Sequence, residues 1–130
     1  MRKYVPIFMA ILIIAGCATA SGVRVMNREN LLRLSIGMTK QEVLNTMGTK
    51  TFEIYGDGVD TKINNPYRSE IIPDEGKNLE VLYYYTDVKQ TDGAVTDDEL
   101  TPLVLDQGKL IGWGWSFLHD NVKKYELWMR

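Results

Sequence analysis

Cysteine is nearly absent from this chain: Cys17 is its only thiol, and a lone thiol excludes an internal disulfide and any zinc site built on paired cysteines. Histidine is equally scarce, with His119 alone, and no serine–carboxylate arrangement around it is recognisable from sequence, so no catalytic residue is assigned. No glycine loop for phosphate, dinucleotide fingerprint or zinc spacing occurs, and no cofactor or metal is expected. Basic charge is not in excess either. Fifteen Lys and Arg stand against 17 Asp and Glu, which leaves no electrostatic footprint for nucleic acid. The one long apolar run, Val5 to Ala15, covers about 11 residues where a membrane-spanning helix needs roughly 20.

What that run does have is context. Arg2 and Lys3 precede it, and Ile14-Ala15-Gly16-Cys17 closes it with small residues before the cysteine. A positive n-region, an apolar core and a small-residue cleavage site make a signal peptide over residues 1–16, and the cysteine at its end gives it the layout of a bacterial lipoprotein signal. Cys17 is therefore the expected lipid-attachment residue. Such lipoproteins carry two or three acyl chains (palmitate and its relatives), and at about 0.8 kcal/mol per buried methylene the anchor amounts to tens of kcal/mol. Ala18, rather than Asp, follows the cysteine, which in the Gram-negative sorting pattern implies the outer membrane, facing the periplasm. The alternative is an ordinary cleaved secretory signal or a buried helix, with Cys17 an incidental thiol.

Removal of residues 1–16 takes away Arg2 and Lys3, so the mature chain carries a formal charge of −4 over 114 residues. That length suits one domain, burying roughly 60–70% of the surface its unfolded chain exposes. Residues 17–26, small and polar around Ser21 and Gly22, read as a tether, and residues 27–130 as a single α+β domain.

Asn27 is placed to cap a short helix over Arg28 to Leu34. The clearest local signal follows. Thr39 and Glu42 have capping-box spacing, Met38 and Val43 occupy hydrophobic-staple positions, and Gly48 suits a C-terminal cap, which predicts a helix of two to three turns. Thr51 to Tyr55, Leu79 to Val88, Thr101 to Leu105 and Lys109 to Trp115 read as strands, the last two joined as a hairpin by Asp106-Gln107-Gly108. Pro102 fits only an edge or the start of its strand. The expected fold is α+β: two short N-terminal helices on one face of a four-stranded antiparallel meander, with Ser116 to Arg130 a candidate C-terminal helix.

The segment Leu34-Ser35-Ile36-Gly37-Met38-Thr39-Lys40-Gln41-Glu42-Val43, ending at Met47-Gly48 before a strand, resembles the opening motif of the SmpA/OmlA family. Those are small outer-membrane lipoproteins that include the BamE subunit of the β-barrel assembly machine. Thr91-Asp92-Gly93, Asp98 to Val104 and Gly112-Trp113-Gly114 are similar to a related family of uncharacterised proteobacterial lipoproteins. The resemblance implies the fold and an envelope setting, and it assigns no partner-binding residues. Thr49-Lys50 replace the proline usual after the motif, and the segment 56–78 is long for the family.

That segment, Gly56 to Asn78, is longer than ordinary connections and carries Asn64-Asn65-Pro66-Tyr67-Arg68 at its centre. It reads either as a binding loop presenting Tyr67 and Arg68 or as an insertion covering a sheet edge. Alternation along Lys109 to Trp115 puts Ile111, Trp113 and Trp115 on one face and Leu110, Gly112 and Gly114 on the other. Trp113 and Trp115, with Tyr83 to Tyr85, then form either an aromatic partner-binding surface or ordinary core, the latter favoured because tryptophan is usually buried. Asp92, Asp97, Asp98 and Glu99 lack the ligand alternation of a calcium loop and read as a solvated hairpin tip.

The functional expectation is a non-enzymatic, lipid-anchored envelope protein that acts by binding another envelope component, and the resemblance implies outer-membrane assembly or maintenance as its setting. The alternative is an inhibitor or ligand-binding module using the 56–78 segment and the aromatic sheet face, since folds related to this family include a secreted β-lactamase inhibitor.

Overall fold

The computed structural model describes residues 19–54, 61–89 and 95–122. Cys17, Asp92, Tyr125, Trp128 and Met129 lie outside them. The fold is α+β, with three helices and two antiparallel sheets among the described residues.

Helix α1 runs Ala20–Leu31, and its N-cap is Thr19, whose hydroxyl accepts from the Gly22 amide at 2.9 Å. Asn27 is thus inside the helix, not its cap. The tether expected over residues 17–26 gives way to helix from Ala20, where Val23 is already buried in the core. Polar Ser21 and Gly22 disguise the start because they lie on the exposed side of the first turn. Helix α2, Lys40–Met47, forms as its caps predict. The Thr39 hydroxyl accepts from the Glu42 amide at 3.2 Å, Val43 and Met47 are fully buried, and Gly48 ends the helix at φ 87°, a conformation that favours glycine.

Strand β1, Phe52–Ile54, leaves the meander and pairs with β2, Thr61–Ile63, in a sheet of their own. The four-stranded meander is instead β3 (Arg68–Asp74), β4 (Lys77–Tyr85), β5 (Leu100–Asp106) and β6 (Lys109–Trp113) in that order. The 56–78 segment is therefore no loop in its described part, because it supplies both β2 and β3. Pro73 and a charged start concealed β3, and the turn that closes it, Glu75-Gly76, has positive φ at both residues. Gln107-Gly108 repeats that geometry between β5 and β6, as type I′ hairpins require.

Pro102 lies in an interior strand, against expectation. Its partner on β4 is Tyr83, and on the other side its carbonyl accepts from Gly114 at 2.8 Å, where β6 has already ended. The missing N–H faces no strand and costs no ladder bond.

Both faces of the sheet are covered, where helices on one face were expected. On one side α2 packs Val43 and Met47 against Leu82, Tyr84, Leu103 and Leu110. On the other, α3 (Trp115–Asn121) and the β1–β2 hairpin pack against Val81, Tyr83, Tyr85 and Val104. The terminal helix is described only to its cap at Val122. Helix α1 crosses the end of β4 and serves both cores, with Val23 in the α3-side cluster and Leu31 against the α2-side one. A bulge opposite Val104 and Leu105 breaks the alternation of β6, so Ile111 and Trp113 pack on opposite faces. Gly112 receives α3: a Cβ there would sit 2.4 Å from the Phe117 ring.

Candidate functional site

Three polar arrangements organise the molecule, and the richest lies on the α3 face of the sheet. Arg68 opens β3 opposite Tyr83 on β4, which puts the two side chains on one face. The guanidinium carbon stands 3.7 Å from the Tyr83 ring centroid, within cation–π range. Its Nη2 donates to Asp97 Oδ1 at 2.9 Å, and Nη1 is 3.9 Å from Glu70 Oε1. The Tyr83 hydroxyl donates to the same Glu70 oxygen.

The row continues toward α3. Trp115 lies with its centroid 5.8 Å from Tyr83, and His119, one helical turn on, lies 5.9 Å from Trp115. The indole Nε1 donates to the Leu100 carbonyl at 2.8 Å, which fixes the ring. Tyr83 is fully buried, while Arg68, Trp115 and His119 are half-buried and reach the surface. Burial alone would lower the pKa of Arg68, but the Asp97 hydrogen bond and the neighbouring carboxylates of Asp97 and Glu70 raise it and hold the guanidinium protonated. Among the described residues, one positive side chain, Arg68, meets two carboxylates here, Asp97 and Glu70.

Of the residues singled out from sequence, Tyr67 precedes β3, half-buried against the α3-side core, with its amide bonded to the Tyr83 carbonyl at 2.7 Å. Arg68 and Trp115 come together through Tyr83. Trp113 does not join them, because the β6 bulge turns it into the α2-side core. Tyr83, Tyr84 and Tyr85 are buried, with Tyr84 on the α2 side and its neighbours on the other, so the tyrosine run is core rather than exposed surface. Glu70 was missed and Asp97 was read only as part of a solvated hairpin tip, since nothing in their spacing to Arg68 announces a shared site before β3 is known to be a strand.

The second arrangement is a buried amide pair. Asn27 Nδ2 donates to Asn65 Oδ1 at 3.0 Å, and Asn65 Nδ2 donates back to Asn27 Oδ1 at 3.1 Å. Asn27 also donates to the Tyr85 carbonyl and Asn65 to the Met47 carbonyl, at 2.8 and 2.9 Å. The peptide bond from Asn65 to Pro66 is cis. The third is Glu99, which is 1% exposed and ends a 3-10 turn, Asp97–Glu99. Its carboxylate accepts from the amides of Lys89 and Thr96, each at 2.9 Å, so it ties together the two ends of the segment between β4 and β5.

Residues 21–120 match the model of a family described as a protein of unknown function (DUF3192). No curated protein and no solved structure matches the chain.

Proposed function

We propose that this chain, which belongs to the DUF3192 family, is a non-enzymatic lipoprotein of the bacterial envelope, anchored in the outer membrane through Cys17 and acting by binding another envelope component. The observation that carries the reading is the N-terminal pattern: Arg2-Lys3, the apolar run and Ile14-Ala15-Gly16-Cys17. The likeness of residues 34–48 to the SmpA/OmlA opening motif supports the same setting. The docking element is the rim of Arg68, Asp97, Trp115 and His119, with Tyr67 beside it.

Several features suit that rim to recognition. Arg, Trp and Tyr are the residue types that dominate interface energetics. Arg68 is held between Asp97 and the Tyr83 face, and Trp115 is locked by its indole bond, so a partner would meet side chains that have already lost their rotamer freedom. The anchor adds a concentration effect, because tethering at the membrane turns a weak encounter into a local one.

Mass spectrometry of the mature N-terminus, combined with membrane fractionation, tests the anchor: acylated Cys17 in the outer-membrane fraction is expected, and Cys17→Ser leaves unacylated precursor. An intact residue 1–16 segment on a cytosolic protein refutes the reading. Crosslinking in whole envelopes then tests binding. A specific adduct should weaken in Asp97→Lys, which reverses the charge of the rim, while the melting temperature stays within a few degrees.

A further inference from the structure

The two edges of the meander are finished differently. On β6 the chain caps its own edge: Gly37 N donates to Leu110 O and Leu110 N to Met38 O, both at 2.8 Å, and Lys40 N donates to Gly108 O at 2.9 Å. On β3 no backbone group of the described residues bonds to the outer side. Which groups lie there follows from the hairpin. Asp74 and Lys77 flank a two-residue turn and form its closing hydrogen-bonded pair, so alternation aims the backbone of Ile72 and Glu70 at β4 and that of Ser69, Ile71 and Pro73 outward. The side chains of those three are exposed, and Ile71 is 55% exposed at the middle of the strand. An uncharged, apolar centre on an edge that no described residue pairs with is the configuration that soluble proteins normally avoid.

We propose that β3 pairs antiparallel with β3 of a second copy of this chain, about a two-fold axis at Ile71. In that register Ile71 N–H bonds to Ile71 O of the second copy and the reverse, and Ser69 N–H bonds to the Pro73 carbonyl at each end. Two outward donors on each strand thus find two outward acceptors, and the donorless Pro73 stops the ladder where it should end. The charges agree with the register: Arg68 falls opposite Asp74 of the second copy, twice. Arg68 Nη2 is taken by Asp97, but its guanidinium fork retains donors for that contact. The two Ile71 side chains meet on the same face and cover each other. Such an interface is isologous and closes at two copies, so it forms no fibre.

The test is made on the full chain in the envelope. Ile71→Cys should give a disulfide-linked species of twice the monomer mass on a non-reducing gel, because opposed bonded residues stand about 5.5 Å apart at Cα, within disulfide reach. Leu32→Cys, at a position 87% exposed on another part of the surface, should not. Purified wild-type chain should sediment as a dimer. Ile71→Pro, which removes an outward N–H and leaves the bonds to β4 in place, and Ile71→Lys, which puts two cations on the axis, should each shift it to monomer without loss of the folded signal. A crosslink no stronger at Ile71 than at Leu32, an adduct of any other mass, or a wild-type chain that sediments as a monomer overturns the pairing. None of these outcomes bears on acylation at Cys17, so the proposal stands or falls apart from the anchor.

Discussion

The side-chain amides of Asn27 and Asn65 form a closed two-bond ring in the interior, each donating to the other at 3.0 and 3.1 Å, with their remaining donors spent on the Tyr85 and Met47 carbonyls. Both residues are nearly inaccessible, at 0% and 3% exposure, so neither can turn to water if its partner is lost. Four elements meet at this ring: α1, the end of α2, the end of β4 and the turn into β3. It does with polar atoms what a disulfide does in cysteine-rich domains.

Removing both halves should therefore cost less than the two single losses added together. Asn27→Ala or Asn65→Ala strands a buried amide and should lower stability by about 2–3 kcal/mol each, whereas the double replacement should cost clearly less than the sum. Urea unfolding of the four proteins in a double-mutant cycle measures the coupling. Strict additivity would mean that the ring contributes nothing as a unit.

Gly112→Ala should destabilise by about 1–3 kcal/mol, because its Cβ would enter the Phe117 ring at 2.4 Å. Phe117→Leu in the same chain should recover part of the loss by making room. Thermal unfolding of the single and double variants checks the pair.

Burial raises the pKa of the Tyr84 phenol above its ordinary value near 10. A folded-state pKa above the unfolded one gives a contribution that is complete below about pH 10 and is lost as pH rises, since the unfolded chain ionises first. Stability should fall on the alkaline side, and Tyr84→Phe should flatten that limb. An unchanged alkaline limb in the variant would assign the loss to other groups.

Glu99→Gln replaces one of two carboxylate acceptors with a donor and puts it against the Lys89 or Thr96 amide. A loss of about 1.5–3 kcal/mol is expected, with faster hydrogen exchange at those two amides. Asp97→Asn, on the exposed neighbour, should change stability far less.

Legibility in the sequence followed the range of the interaction. Helix α2 and the β5–β6 hairpin are written locally, in Thr39, Glu42 and Gly48 and in Gln107-Gly108, and they form where expected. Helix α1 was misplaced because its signal is divided: Val23 and Leu31 serve different cores, so no single apolar stripe marks it. Strand β3 carries polar residues and a proline and owes its conformation to pairing with β4, which no short window shows. The candidate rim was half visible, since Tyr67, Arg68 and Trp115 stand out by residue type. Their connection through Tyr83 and the departure of Trp113 depend on a strand and a bulge that only the tertiary structure reveals.

Helix α1 is fastened to Tyr85, the last residue of β4, and to Thr86 just beyond it, by Arg24 on the Tyr85 hydroxyl, Asn27 on the Tyr85 carbonyl and Arg28 on the Thr86 carbonyl. A tug on the polypeptide ahead of Thr19 is consequently delivered to an interior strand of the meander, hydrogen-bonded on both flanks. Three side-chain bonds have to give before α1 parts from that strand end, so load entering ahead of the helix is shared with the sheet rather than borne by the helix alone.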